Sequence, residues 1–438
     1  MEFKREEYLN KLISHKGNNM IKIITGIRRC GKSYLLNKIF YKHLLDSGIK
    51  DKNIIRFAFD FDEDVDKLDA FFKELPSKIK DDKGHLVVNS KKFRAYISSL
   101  IKNKKETYYL LLDEVQLLEN FVGTLNGYLY YENLEVYVTG SNSKFLSSDI
   151  ATEFRGRGDV IYIQPLTFSE YYEVIGGDKK EALFEYMRYG GLPLSVLAKD
   201  DISKQEYLSN LYHTIYLNDL KERNNIKKIE EFDSIVVIIS SLIGSATNPT
   251  KLANTFHSNI KSKVTIETIR KYITYLEDAF LVNKAQRYNV KGRKYIGSNE
   301  KYYFTDLGIR NSILGYRQFE PTHLMENLIY NELIHRGFLV DVGITLKNVR
   351  ANNGNGAKEY YEIDFVANKG SKKFYIQSAY SIIGEEKIKQ EEKSLDNIND
   401  NFDKVIITFD DFITYHRNQK GYIVMNLLEF LLNKEYLN

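Results

Sequence analysis

The stretch Gly26-Ile27-Arg28-Arg29-Cys30-Gly31-Lys32-Ser33 constrains this chain more than any other, because it completes the pattern G-x-x-x-x-G-K-[ST] between an apolar segment and a helical one. Ile21 to Thr25 is rich in β-branched residues and ends in a turn, while Ser33 to Leu45 carries Leu35, Leu36, Ile39, Phe40 and Leu44 at helical spacing. Glycines at 26 and 31 let backbone N–H groups curl around a phosphate without Cβ clashes. The helix that follows directs its positive N-terminal end at the same anion. Lys32 would reach the β and γ phosphates, and the Ser33 hydroxyl would be a hard oxygen ligand for Mg²⁺. The expectation is ATP bound along Gly26, Ile27, Arg28, Arg29, Cys30, Gly31, Lys32 and Ser33.

Hydrolysis needs a second signal, and Tyr108-Tyr109-Leu110-Leu111-Leu112-Asp113-Glu114 supplies it as an apolar strand ending in two carboxylates. A continuous apolar run reads as a strand buried on both faces, and acids at its carboxyl end fall where doubly wound sheets bind ligands. Asp113 would hold a water on Mg²⁺, and Glu114 would orient or deprotonate the attacking water. A further strand is expected from Ile54 to Phe59, followed by the acidic run Asp60, Asp62, Glu63, Asp64 and Asp66, which reads as a solvated loop. Next come a helix from 116 to 131 and a strand from Leu134 to Thr139 tipped by Gly140-Ser141-Asn142. Asn142 is the candidate γ-phosphate sensor. Arg155 and Arg157, in Arg155-Gly156-Arg157-Gly158, are candidates for an arginine finger that completes the site of a neighbouring subunit.

With 438 residues the chain exceeds one hydrophobic core. No apolar run approaches the length of a membrane span, and the start, MEFKREEYLNKL, is charged and amphipathic rather than a signal peptide. A cytoplasmic location without membrane contact is the expectation, and the single Cys30 fits a reducing compartment. The net charge of +4 gives no global argument for nucleic acid, but the charge is unevenly distributed: residues 232 to 310 carry 12 Lys and Arg against 6 Asp and Glu. The remainder is therefore slightly acidic.

The order of elements predicts an α/β protein: an ATPase core over 1–165, a helical lid over 166–231 broken at Tyr189-Gly190-Gly191-Leu192-Pro193, and a winged helix-turn-helix over 232–318. In the last of these, helices are expected at Ser234 to Ile243, Asn248 to Phe256 and Thr265 to Phe280. Two strands joined by the basic turn Lys291-Gly292-Arg293-Lys294 would form the wing. Thr268, Arg270, Lys271 and Thr274 would lie on the exposed face of the second helix of the pair. DNA contact and protein interaction are both open to a module of this shape. Residues 319–438 alternate helix and strand, with Glu326 on a helix and Asp364 and Gln377 on strands.

The whole chain resembles the AAA-type ATPases of archaea and bacteria that carry a C-terminal domain of unknown function. The resemblance rests on G-I-R-R-C-G-K-S, L-L-L-D-E-V-Q, T-G-S-N-S, R-G-R-G, P-L-T-F-S-E-Y, Y-G-G-L-P, Y-Y-F-T-D-L-G-I-R, M-E-N-L-I-Y-N-E-L, E-I-D-F-V and Y-I-Q-S-A-Y, spread over nearly its full length. It implies an AAA-like core, a winged helix and a terminal domain similar to the PD-(D/E)xK nucleases. In those nucleases a helix acid, a strand aspartate and a Glu/Gln-x-Lys hold Mg²⁺. Glu326, Asp364 and Gln377 match the first three, but the lysine position holds Ala379, so the terminal domain is expected not to cut DNA. Lys387 or Lys389 on the next helix are candidates to replace that lysine. The function expected is an ATP-binding and ATP-hydrolysing switch acting on an unknown partner, with DNA through the winged helix, a protein client and further copies of the chain as the candidates. An ATP-bound DNA-binding regulator and a nucleotide-gated nuclease are the alternatives.

Overall fold

The apolar runs Ile21–Thr25 and Tyr108–Asp113 are buried at every position, and the computed structural model places both inside one parallel sheet. It describes residues 2–71, 73–81, 84–140, 154, 156–260, 264–350 and 356–437. The chain divides into two compact units, Glu2–Gln164 and Pro165–Asn438.

In the first unit, β1 (Ile21–Thr25), β2 (Ile54–Ala58), β5 (Tyr108–Asp113), β6 (Leu134–Thr139) and β7 (Gly158–Tyr162) form a sheet in the order β2-β5-β6-β1-β7. Every pairing in it is parallel. A small antiparallel hairpin, β3 (Lys78–Lys80) and β4 (Leu86–Val88), lies outside this sheet. In a parallel sheet all the strands deliver their carboxyl ends to one edge, so the turns after β1, β5 and β6 emerge together. The helix after the phosphate-loop sequence runs from Lys32–Tyr34 through a π turn, Leu35–Phe40, to Tyr41–Asp46, and buries Leu35, Leu36, Phe40 and Leu44. Glu6–Ser14 buries Tyr8 and Leu12.

Two local expectations need correcting. The helix expected at 116–131 is a 3₁₀ turn, Val115–Leu117, and then a shorter helix, Phe121–Tyr128. The break falls at Asn120, whose φ of 43° belongs to the left-handed region that asparagine tolerates, and whose side chain caps the second piece by accepting from Gly123 N–H at 3.3 Å. The acidic run after β2 is not all loop: Asp62–Phe71 is a helix with Asp62, Glu63 and Asp64 in its first turn, where carboxylates complement the positive helix end.

The second unit begins with helices Phe168–Ile175, Lys179–Tyr189, Pro193–Val196 and Asp201–Asn210, the last continuing through a π turn, Leu211–Leu217, to Asn218–Asn224. Three more follow at Ile229–Ser241, Pro249–Ile260 and Ile266–Asp278, near the positions the sequence pattern indicates. The hairpin β8 (Val282–Asn289) and β9 (Lys294–Phe304) comes next, then β10 (Leu339–Arg350), β11 (Gly356–Lys369), β12 (Lys372–Ala379), β13 (Asp403–Thr408), β14 (His416–Arg417) and β15 (Ile423–Asn426). These eight strands make one mixed sheet, ordered β14-β15-β13-β12-β11-β10-β8-β9. The hairpin expected as a wing is therefore hydrogen-bonded into the sheet of the terminal segment, through the parallel pair β8–β10. Among the described residues no helix is long and apolar enough to cross a membrane.

Candidate nucleotide site

The loop after β1 is shaped by two glycines. A Cβ on Gly26 would stand 2.0 Å from the Ile163 carbonyl oxygen, so only glycine lets the loop pass that close to the chain leaving β7. Gly31 has φ of 99° at the helix start, a backbone state that side chains oppose. Arg29 takes φ of 67° without being glycine, a strain on the order of 1–2 kcal/mol that the surrounding loop must hold. Cys30 is fully buried, its thiol 3.5 Å from the Ile163 carbonyl, so it packs the loop from inside.

Lys32 is 5 % exposed, and its Nζ donates to the Gly26 and Ile27 carbonyls, each at 3.0 Å. This folds the ammonium back over its own loop. At the end of β5, Asp113 collects the neighbouring polar groups: Ser33 Oγ donates to its Oδ1 at 3.0 Å, Asn37 Nδ2 donates to Oδ2 at 3.4 Å, and the Thr139 hydroxyl donates to Oδ1. Burial pushes the Asp113 carboxyl above its ordinary range, while the bonds from Thr139 and Ser33 pull the other way. Glu114 has φ of 51°, and its backbone N–H donates to Thr139 Oγ1 at 3.1 Å. Its carboxylate accepts from the Gln116 amide. Asp60, just beyond β2, is pushed up by burial and by the nearby Glu114 charge, with Arg28 and Arg29 opposing the shift.

The structure thus brings together Lys32, Ser33, Asp113 and Glu114, all read from the sequence, and adds Asn37, Thr139 and Asp60. Asn37 lies four residues after Ser33 and so on the same helix face, a spacing that could have revealed it. Thr139 is the last residue of β6, beside β5 in the register Leu112↔Val138. Asp60 was hidden inside an acidic run that reads as surface. Asn142 and Arg155 lie outside the described residues. Arg157 is exposed and precedes β7, with its carbonyl accepting from Ile21 N–H at 2.9 Å, so it stands at the opposite end of β1 from the phosphate loop.

A second group of chemically active side chains lies in the other unit. Glu326, on the helix Pro321–His335, and Glu362 and Asp364, two residues apart on one face of β11, surround the ammonium of Lys301 on β9. Lys301 Nζ is 2.8 Å from both Glu326 Oε1 and Glu362 Oε1, and 3.6 Å from Asp364 Oδ1. Tyr303, on the same face of β9, donates its hydroxyl to Glu326 Oε1 at 2.7 Å. Burial and the Glu326 charge raise the Asp364 carboxyl, and the three carboxylates hold the Lys301 ammonium in its charged form against the cost of burial. Gln377 is engaged elsewhere, accepting from Ser394 Oγ at 3.1 Å. The lysine near these acids is thus neither of those considered from the sequence: Lys387 and Lys389 are exposed, and Lys389 pairs with Glu385 at 3.1 Å along its own helix.

Residues 18–172 match the model of an AAA domain, and residues 180–320 match that of a domain of unknown function, DUF8612. An uncharacterized protein of Haemophilus influenzae is 32% identical over 409 residues, covering 92% of this chain and 92% of that protein. An uncharacterized protein of Methanocaldococcus jannaschii is 30% identical over 416 residues, covering 90% and 83%. Among solved structures, Aeropyrum pernix ORC1 in complex with DNA is 11% identical, with 72% of this chain and 93% of that one covered at a TM-score of 0.28. C. elegans PCH-2 is 16% identical, with 62% and 66% covered at 0.26. Both structural likenesses are loose.

Proposed function

The chain belongs to one family with these Haemophilus and Methanocaldococcus proteins and carries an AAA domain, and from that premise we propose that it is an ATP-binding, Mg²⁺-dependent ATPase that switches a partner through its second unit. The observation that carries this reading is the convergence of Ser33, Asn37 and Thr139 on Asp113, next to Glu114, at the carboxyl edge of the sheet where the glycine loop opens. The donor chemistry fits Mg²⁺, since Ser33 Oγ and Asp113 Oδ1 are hard oxygens 3.0 Å apart. Those two would hold the ion, directly or through water, and the ion would neutralise charge on the β and γ phosphates.

The chain's own groups do the rest. Backbone N–H groups of the loop cradle the phosphates, and Lys32 Nζ exchanges its two loop carbonyls for phosphate oxygens. Glu114 acts on the attacking water. Its left-handed backbone and its bond to Thr139 fix where the carboxylate leaves the strand, and Gln116 holds that carboxylate. Within this reading Asn142 serves as the γ-phosphate sensor and 166–231 acts as a lid, while 232–318 and 319–438, which share one sheet through the pair β8–β10, supply the winged helix and the nuclease-like domain. Lys32→Ala should abolish ATP binding. Glu114→Gln should keep binding within a few-fold of wild type while lowering turnover by on the order of 10²-fold, because the carboxylate acts on water and not on phosphate. Equal turnover in wild type and Glu114→Gln would refute the assignment.

A further inference from the structure

The terminal segment resembles nucleases whose clustered acids hold a divalent cation, and the structure shows why these residues do not fit that ion. Oxygens that bind Mg²⁺ or Mn²⁺ directly approach to about 2.0–2.2 Å, and the ion needs several such oxygens turned toward one point. Here that point is taken. The Lys301 ammonium is in contact with Glu326 and Glu362 and within ion-pair distance of Asp364. We infer that Lys301 is the resident cation of this acid cluster: β9 threads an ammonium into the place the carboxylates would otherwise give to a divalent metal, leaving a nuclease-shaped domain that binds no metal there and cuts no DNA.

Three further observations support this. Glu326 Oε1 already accepts from both Lys301 and Tyr303, and Asp364 Oδ2 accepts from Ser378 N–H at 2.8 Å, so lone pairs that a metal would use are engaged. Lys301 is 3 % exposed and Tyr303 fully buried, and the strand that carries them is anchored by the pairs Lys301↔Ala285 and Tyr303↔Asn283. The ammonium is therefore presented by an ordered strand rather than by a surface side chain that happens to fold over. Third, Ala379 occupies the position where the resembling nucleases place their lysine, and it is buried and paired with Thr408, which leaves that position without a cation. One lysine cannot balance three ionised carboxylates. Arg287 Nη2, 3.9 Å from Glu362 Oε2, adds a second positive charge at the edge of the cluster.

The inference is independent of the nucleotide site, and the test separates the two. Manganese binding is followed by electron paramagnetic resonance of nucleotide-free protein, in wild type, Lys301→Met, Glu362→Gln and the double variant. Any Mn²⁺ taken up at Ser33 and Asp113 is common to all four and cancels. Wild type and Glu362→Gln should bind the same amount of Mn²⁺, whereas Lys301→Met should gain a further equivalent that Lys301→Met/Glu362→Gln loses. A bound equivalent in wild type that disappears in Glu362→Gln would overturn the inference, since metal and lysine would then share the site. So would a folded Lys301→Met chain that gains none, because the acids would then be an ion-pair network with no latent metal site. Should Lys301→Met fail to fold by circular dichroism, the comparison of wild type with Glu362→Gln decides, together with incubation of wild type with linear and circular DNA and Mn²⁺. Equal Mn²⁺ binding together with uncut DNA upholds the inference; a loss of bound Mn²⁺ in Glu362→Gln, or DNA cleavage, overturns it.

Discussion

Asp306 is a buried carboxylate with no cation among its hydrogen-bond partners in the described residues, and it fixes a turn that the sequence marks by two glycines and a proline. Its oxygens accept from Gly191 N–H at 2.8 Å and Ile309 N–H at 3.0 Å. A Cβ on Gly190 would lie 2.3 Å from Asp306 Oδ1, and one on Gly191 would lie 2.2 Å from the Leu166 carbonyl, so both glycines are there to admit close neighbours. Burial is the larger influence and raises the Asp306 carboxyl to about 6, with the backbone N–H groups pulling it down. A carboxyl whose folded pKa exceeds its unfolded value makes the folded state hold its proton longer. Stability from this group is therefore greatest below the unfolded pKa of about 3.9, falls as pH rises towards about 6, and is flat above, a swing of up to about 3 kcal/mol. Asp306→Asn keeps one acceptor and removes the titration. In urea unfolding between pH 4 and pH 7, the variant's stability should lose this downward limb whatever constant offset the lost acceptor brings. Parallel curves for wild type and variant would show that the group does not titrate as its surroundings imply.

At the scale of elements, contiguous signals were legible and pairings between distant segments were not. The strand, glycine loop and helix around Lys32 were readable because each is set by neighbours in the sequence, and the acids at the end of β5 were readable because a strand buried on both faces leaves little choice of what its end meets. The fate of the hairpin β8–β9 was not. Its parallel partner is β10, with Tyr288 opposite Gly343, and no local periodicity encodes that register. Lys301 was missed for the same reason, since its acids come from a helix and a strand that the sequence places in another segment. The basic turn is nonetheless exposed from Lys291 to Lys294, with Lys291 Nζ donating to the Leu346 carbonyl at 3.3 Å. If this turn meets DNA phosphates, neutralising Lys291, Arg293 and Lys294 together should weaken binding and reduce the slope of log affinity against log salt by about 3. Fluorescence anisotropy with a duplex over a range of salt reads both quantities, and an unchanged slope would remove the turn from any DNA contact.

For the whole molecule, the question is whether one chain contains all it needs to hydrolyse ATP. Arg157 bears on it through its place in the sheet. Its carbonyl bonds to Ile21 N–H at the start of β1, and the phosphate loop begins after Thr25 at the other end. Five residues of strand rise roughly 16 Å, more than an arginine side chain spans, so within its own chain Arg157 does not reach the phosphates beside Lys32. Yet it is exposed at a sheet edge, where a guanidinium is free to meet a neighbouring copy. On this geometry any finger role is played in trans. ATPase activity per chain should then rise with protein concentration, and Arg157→Ala should lower the plateau by 10³-fold or more where the guanidinium acts on transition-state charge. Mixing is the sharper measurement, because Arg157→Ala keeps Lys32, Ser33, Asp113 and Glu114 intact. Combined with Lys32→Ala, which keeps its arginine, it should recover activity that neither variant shows alone. Constant activity per chain down to demonstrated monomer, with no recovery on mixing, would mean that the site is completed from within one chain and that Arg157 has no part in it.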